Sequence, residues 1–221
     1  MLQYIKNNTI FYAVYLIVVV LTSYFIFTTT QLELHHSINE CVGNIYINEF
    51  FKYITHLGDG LFLILIAIIL LFFDIKKSIV LILCYVIAGG FTQFLKEAFF
   101  NFEMRPFFYH SFHNFPLKIV EGVEMHSQNS FPSGHATAAF CLFTFLNFYT
   151  KKNSLKFLLI SLALLVAFSR VYLSQHFIED ITVGSLIGTV FTTLFLYLIY
   201  NTKFLNILNQ LEKPVYQFFK K

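Results

Sequence analysis

Tryptophan is absent from this chain, proline occurs four times, and only 12% of the residues are charged against 57% that are hydrophobic. So small a supply of charge cannot coat a water-soluble domain of 221 residues, and a mean hydropathy of +0.68 places much of the surface against lipid. Without tryptophan, the polar-tipped aromatic belt at the membrane interfaces falls to the 13 tyrosines, while 30 phenylalanines are ample to face acyl chains. A net charge of +3 is too small to argue for a nucleic-acid partner. Cys41, Cys84 and Cys141 are odd in number, and the last two lie in apolar runs; neither a disulfide framework nor a thiolate metal site is visible, and packing is their expected role. Internal repeats, low-complexity tracts and interdomain linkers are missing too, so 1–221 is read as one domain.

What is present is a series of apolar runs. Crossing a bilayer core takes about 20 helical residues, and 10–30 supplies such a stretch without a charge. A signal peptide is the alternative there, but the run is long for one and Thr28-Thr29-Thr30-Gln31 is a poor cleavage site, so it is kept as a span. Further runs cover 57–73, 78–95, 131–149, 155–173 and 181–200, which predicts an all-α bundle of six transmembrane helices. The second is short and carries Asp59 near its start, so it is expected to begin at the interface or in the shelter of its neighbours. Gly184 and Gly188 in the last run form a small-residue face for close helix contact within the chain.

Lysine and arginine collect in cytoplasmic loops. With both termini inside, Lys6, Lys76, Lys77, Lys151, Lys152, Lys156, Lys203, Lys213, Lys220 and Lys221 fall on the cytoplasmic side. Lys52, Lys96, Arg105, Lys118 and Arg170 fall outside, together with every histidine and the two long connections, about 31–56 and 100–130. Chemistry is therefore expected on the extracytoplasmic side, in a bacterial inner membrane.

Ionisable groups at membrane depth are costly and usually serve a function. Lys96 closes the third run, Arg105-Pro106 follows it, Ser133-Gly134-His135 opens the fourth, and Arg170, His176 and Asp180 lie between the fifth and sixth. Three cations at one mouth repel one another unless an anion sits between them, and phosphate suits both the planar fork of Arg and the point charge of Lys. In Pro132-Ser133-Gly134-His135 the proline suits a first helical turn and the glycine admits a ligand close to the backbone, so free amides and the Ser133 hydroxyl would meet the anion. His176 and Asp180 are one helical turn apart, so the carboxylate can hold one ring nitrogen and leave the other free to attack phosphorus. His135, with no such partner nearby, is placed as general acid for the departing alkoxide.

These residues resemble the type 2 phosphatidic acid phosphatase superfamily of membrane phosphatases, relatives of the vanadium haloperoxidases. Its second motif, Pro-Ser-Gly-His, stands at Pro132 to His135, and its third, Ser-Arg-x5-His-x3-Asp, at Ser169, Arg170, His176 and Asp180. The first, commonly Lys-x6-Arg-Pro, is two residues longer here, from Lys96 to Arg105-Pro106. A spacing of nine puts the two cations on nearly opposite faces of one continuous helix, so a break is expected around Asn101 to Met104. The resemblance implies His176 as nucleophile, Asp180 as its orienting partner, His135 as general acid, and Lys96, Arg105, Ser133, Gly134 and Arg170 as phosphate ligands. It also implies a metal-independent reaction with no cofactor. His35-His36 and His110-x2-His113 are read as solvated loop rather than metal ligands, and so are Glu121, Glu124 and His126, which otherwise would shape headgroup choice.

The expected partner is a lipid phosphate in the bilayer: isoprenyl diphosphate, phosphatidylglycerol phosphate or phosphatidic acid. A lipid A phosphatase or a phosphotransferase would use the same residues, and a non-catalytic phospholipid transporter or binding protein is a more distant alternative. Oligomeric state leaves no mark in the sequence.

Overall fold

A computed structural model describes residues 7–201. Nine α-helices follow one another among the described residues: α1 (Thr9–Thr28), α2 (Gln31–Asn39), α3 (Ile45–Ile54), α4 (Gly60–Leu71), α5 (Ile75–Ala98), α6 (Pro106–His113), α7 (Gly134–Tyr149), α8 (Asn153–Tyr172) and α9 (Ile178–Asn201). The only extended pairing among them is an isolated bridge between Met104 and Gln128. Lys6, Lys203, Lys213, Lys220 and Lys221, on which part of the orientation argument rests, lie outside the described residues.

α1, α5, α8 and α9 are long and apolar enough to cross a membrane, and a fifth crossing results if α3 and α4 count as one span bent by 57°. The run expected at 57–73 is interrupted: a 3-10 turn, Thr55–Gly58, precedes Asp59, and only 12 residues of α4 follow. The cause is tertiary. A Cβ on Gly58 would lie 2.6 Å from Val166 Cγ1 and 3.0 Å from the His135 carbonyl, so the chain passes too tightly here for a helix with ordinary side chains. α7, at 16 residues, reaches about 24 Å, short of a full bilayer core. The connection 31–56 is not a loop either. Thr30 and Glu33 form a reciprocal capping box that starts α2, and the Asn44 side chain caps α3.

α7 and α9 make the most extensive contact in the bundle, and glycine is the reason. A Cβ on Gly184 would stand 2.4 Å from the Ser133 carbonyl oxygen, and one on Gly188 2.5 Å from that of Thr137. The two helices therefore touch backbone to backbone. The Thr137 hydroxyl lies 3.0 Å from the Ser133 carbonyl, 3.1 Å from the Gly184 carbonyl and 3.0 Å from the Thr92 hydroxyl, tying α5, α7 and α9 together below the turn that opens α7. On one side of this seam Phe11, Phe140, Ile160, Val166 and Ile181 pack α1 and α8 against it, and on the other Leu63, Leu81, Cys84, Phe145 and Leu196 pack α4 and α5. Cys84 and Cys141 are buried as free thiols, while Cys41 is exposed.

Gly184→Ala should therefore force the seam apart and cost about 1–3 kcal/mol, read as a lower unfolding midpoint in detergent. Gly90→Ala, whose Cβ meets nothing within 4 Å, is the control and should leave the midpoint where it was.

Candidate active site

The ends of α5, α7, α8 and α9 that carry the sequence motifs meet at one end of the bundle. Lys76, Lys77, Lys151 and Lys152 lie at the other, where Lys77 stands 5.0 Å above the ring of Tyr149 and Lys76 5.6 Å above that of Tyr200.

α5 stops at Ala98, and residues 99–105 are not helical, so the break runs through 101–104 and begins slightly earlier than expected. Arg105 becomes the residue before Pro106, with extended backbone (φ −85°, ψ 163°), as α6 begins. The segment is held by the Arg105 amide on the Ser127 carbonyl at 2.9 Å and the Ser130 amide on the Glu103 carbonyl at 3.0 Å. Lys96 Nζ donates to the Asn129 carbonyl at 2.9 Å, and an Arg105 terminal nitrogen donates to the same oxygen at 3.3 Å. Arg105 Nε reaches the Gln128 carbonyl at 2.8 Å, and its other terminal nitrogen the Gln175 side-chain oxygen at 3.3 Å. The longer spacing is thus absorbed by a change of direction, and the two cations converge.

Ser133 is fully buried. Its oxygen accepts from the Ala136 amide at 3.4 Å as the N-cap of α7, and its own amide donates to the Asp180 carbonyl at 3.0 Å. Gly134 is the open position of the turn: a Cβ there meets nothing within 4 Å. The first-turn amides of an α-helix have no acceptor within it, so this corner carries partial positive charge.

His176 sits in the turn between α8 and α9 and is buried, 2% exposed, as is Asp180 at 2%. Its Nδ1 lies 3.3 Å from Asp180 Oδ2. The same carboxylate oxygen accepts from the Ser130 hydroxyl at 2.5 Å and the Phe177 amide at 2.8 Å, so its direction is fixed before the imidazole is considered. Burial first, then the positive charges of Arg105, Arg170 and Lys96, hold His176 well below the usual imidazole range. The ring is neutral near pH 7, with Nδ1 engaged and Nε2 as its remaining nitrogen. Arg170 donates to the Thr55 hydroxyl at 2.9 Å, and its buried Nε has no partner among the described residues.

His135 stands between two cavities. One, of about 480 Å³, is also lined by Asp59, Tyr85, Lys96 and Gly134. The other, of about 340 Å³, is shared with Arg170, Gln175, Glu124, His126 and Asp59. Glu124 and His126 of the long connection therefore do reach the site, whereas Glu121 is not among the lining residues.

All eight residues singled out in the sequence lie at this one end. Four contributors were not: Ser130, Asn129, Gln175 and Thr55. Gln175 and Ser130 flank motif residues, but a carbonyl such as that of Asn129 has no signature in a sequence. Of the histidines read as solvated, His113 is exposed and His36 partly so, while His35 needs correction. His35 is buried, 1% exposed, with Nε2 3.2 Å from the Ser174 hydroxyl. His36 is partly exposed and pairs with Glu40 at 3.7 Å, and His110 Nδ1 lies 2.7 Å from the Phe115 carbonyl.

An all-helical, apolar bundle that gathers cations and a histidine–carboxylate pair at one end is an integral membrane protein with a cationic site. The sequence model of the PAP2 superfamily matches residues 77–204, and the chain belongs to that superfamily. Phosphatidylglycerophosphatase B of Bacillus subtilis (strain 168) is 29% identical over 157 residues, covering 65% of this chain and 70% of that protein. The crystal structure of Aquifex aeolicus LpxE superposes with a TM-score of 0.65 at 30% identity, over 76% of this chain and 94% of that one. The fold is also that of a transmembrane PAP2-type phosphatidylglycerolphosphate phosphatase from Bacillus subtilis, with a TM-score of 0.60 at 24% identity over 86% and 94% of the two chains. The protein is a membrane lipid phosphatase.

Proposed function

We propose that the protein hydrolyses a phosphomonoester or diphosphate on a membrane lipid through a phosphohistidine at His176, without metal or other cofactor, on the extracytoplasmic side of a bundle crossing the membrane six times. The observation that carries this reading is the fixed pair His176–Asp180, with Arg105, Arg170 and Lys96 close enough to act on the charge of the ring. Phosphatidylglycerol phosphate is the first substrate to test, because a relative is a phosphatidylglycerophosphatase. Isoprenyl diphosphate, phosphatidic acid and the 1-phosphate of lipid A follow. The lysines at the far end of the bundle support the orientation.

Phosphate oxygens lie among Lys96, Arg105, Arg170 and the α7 amides, where developing charge meets donors already in place. His176 Nε2 gives its lone pair to phosphorus as the bond from phosphorus to the lipid oxygen breaks, and the proton of His135 goes to that oxygen. Asp180 stabilises the imidazolium-like ring that results. Water then attacks the phosphohistidine, its proton passes to His135, and the N–P bond breaks to return neutral His176 and free phosphate.

Release of inorganic phosphate from each of these lipids by the purified protein in detergent tests the reading. Turnover of none of them would refute it, and transfer of the phosphoryl group to an added lipid alcohol in place of release would make it a phosphotransferase. His135→Ala should lower kcat on the lipid by about 10²–10⁴-fold. Release of p-nitrophenol from p-nitrophenyl phosphate should fall much less in that variant, because this leaving group departs without a proton; equal losses on both would remove His135 from the acid role.

A further inference from the structure

We infer that His35 and Asn39 of α2 are positioning residues for His176, acting through the Ser174 hydroxyl; the inference rests on His176 being the nucleophile. Ser174 lies two residues before His176 with φ +55°, in the left-handed region that residues other than glycine seldom occupy. A residue kept there needs its surroundings to hold it. Its amide donates to the Val171 carbonyl at 2.9 Å, and the next two amides, of Gln175 and His176, both donate to the Arg170 carbonyl at 2.8 and 3.1 Å. The turn is therefore wound tightly on the end of α8, and Ser174 sets the direction in which it leaves.

α2 supplies the hold. The Asn39 side-chain nitrogen donates to Ser174 Oγ at 3.2 Å and to the Lys118 carbonyl at 2.9 Å, while its oxygen accepts from the Lys118 amide at 2.7 Å. Every polar atom of that amide group is engaged, so its orientation is set. His35 approaches the same Ser174 oxygen from Nε2, and its Nδ1 is buried without a partner among the described residues. The Nε2–Oγ contact ties the ring to Ser174 in either tautomer, with the ring as donor or as acceptor of the hydroxyl proton. Burial lowers His35 to about 4, so the ring stays neutral at physiological pH and serves as a hydrogen-bonding wedge rather than a charge. The edge of the same ring meets Phe177, with centroids 5.4 Å apart and planes at 76°. His35 thus holds the chain on both sides of His176, two residues before it and one residue after.

The test uses the full chain in detergent with phosphatidylglycerol phosphate as the lipid. Ser174→Ala and His35→Phe should each lower kcat by about ten-fold, with KM within about two-fold of the wild type, because binding groups remain while in-line attack is misaligned. His35→Gln, which restores a polar partner for the Ser174 hydroxyl, should recover most of the lost kcat. Wild-type kcat in both Ser174→Ala and His35→Phe would overturn the inference. So would a His35→Gln variant no better than His35→Phe, which would reduce the residue to packing. If the wild type releases phosphate from none of the four lipids named above, or His176→Ala still turns over, the functional reading fails first and the inference goes with it; turnover of another of the four only changes the lipid used in this test.

Discussion

His176→Ala should lose turnover by about 10⁴-fold or more, equivalent to at least about 5.5 kcal/mol of transition-state stabilisation, since the proposed reaction runs through a bond from its Nε2 to phosphorus. Binding should persist. Lys96, Arg105, Arg170 and the first turn of α7 do not depend on the imidazole for their positions, since their bonds run to Asn129, Gln128, Gln175, Thr55 and the Asp180 main chain. The check has two parts. Phosphate release measures the loss, and a rapid quench with radiolabelled lipid phosphate should trap an acid-labile, alkali-stable label on the wild type and none on the variant. A label retained by His176→Ala would assign the nucleophile elsewhere.

The second large effect is expected for Asp180→Asn. The side chain keeps its size, but Oδ2 now accepts from the Ser130 hydroxyl, the Phe177 amide and the His176 ring together. An amide oxygen in that place can still satisfy Ser130 and Phe177, but it carries no charge to stabilise the imidazolium-like product of attack. If the amide nitrogen turns towards the ring instead, it demands the opposite tautomer. Either outcome should lower kcat by about 10³–10⁴-fold with little change in KM. A decrease of only a few-fold would reduce Asp180 to an architectural role, tying the α9 turn to Ser130 and Ser133. Ser130→Ala separates the two functions: it removes the 2.5 Å bond while leaving the charge, and a smaller loss is expected.

What the sequence made legible follows from where the information lies. The motif residues are side chains at fixed spacings near helix ends, so Lys96, Arg105, the Ser133–His135 turn, Arg170, His176 and Asp180 are legible as motif positions, and the need for a break before Arg105 follows from helix geometry alone. The span boundaries at α1, α5, α8 and α9 follow apolar runs and lie within a few residues of the helices. The interruption at Gly58–Asp59 did not show, because its cause is the proximity of Val166 and His135, far away in the chain. α2 and α3 carried local signals, Thr30-x-x-Glu33 and Asn44, but these mark any amphipathic helix start and were masked by the polarity of the segment. His35 was misread for the same reason: a histidine pair in a polar stretch reads as solvated until the packing of Phe177 and Ser174 against it is known.

Lys96 and Arg105 point their donors at main-chain and amide oxygens, and Arg170 at a hydroxyl. Dipoles such as these orient a cation without neutralising it. A carboxylate in place of such an acceptor would cancel charge as well as aim it. Because the bonded acceptors are uncharged, the offset falls to carboxylates at a distance, Asp180 for Lys96 and Arg105 and Asp59 for Arg170, and the three cations keep repelling one another across the cleft.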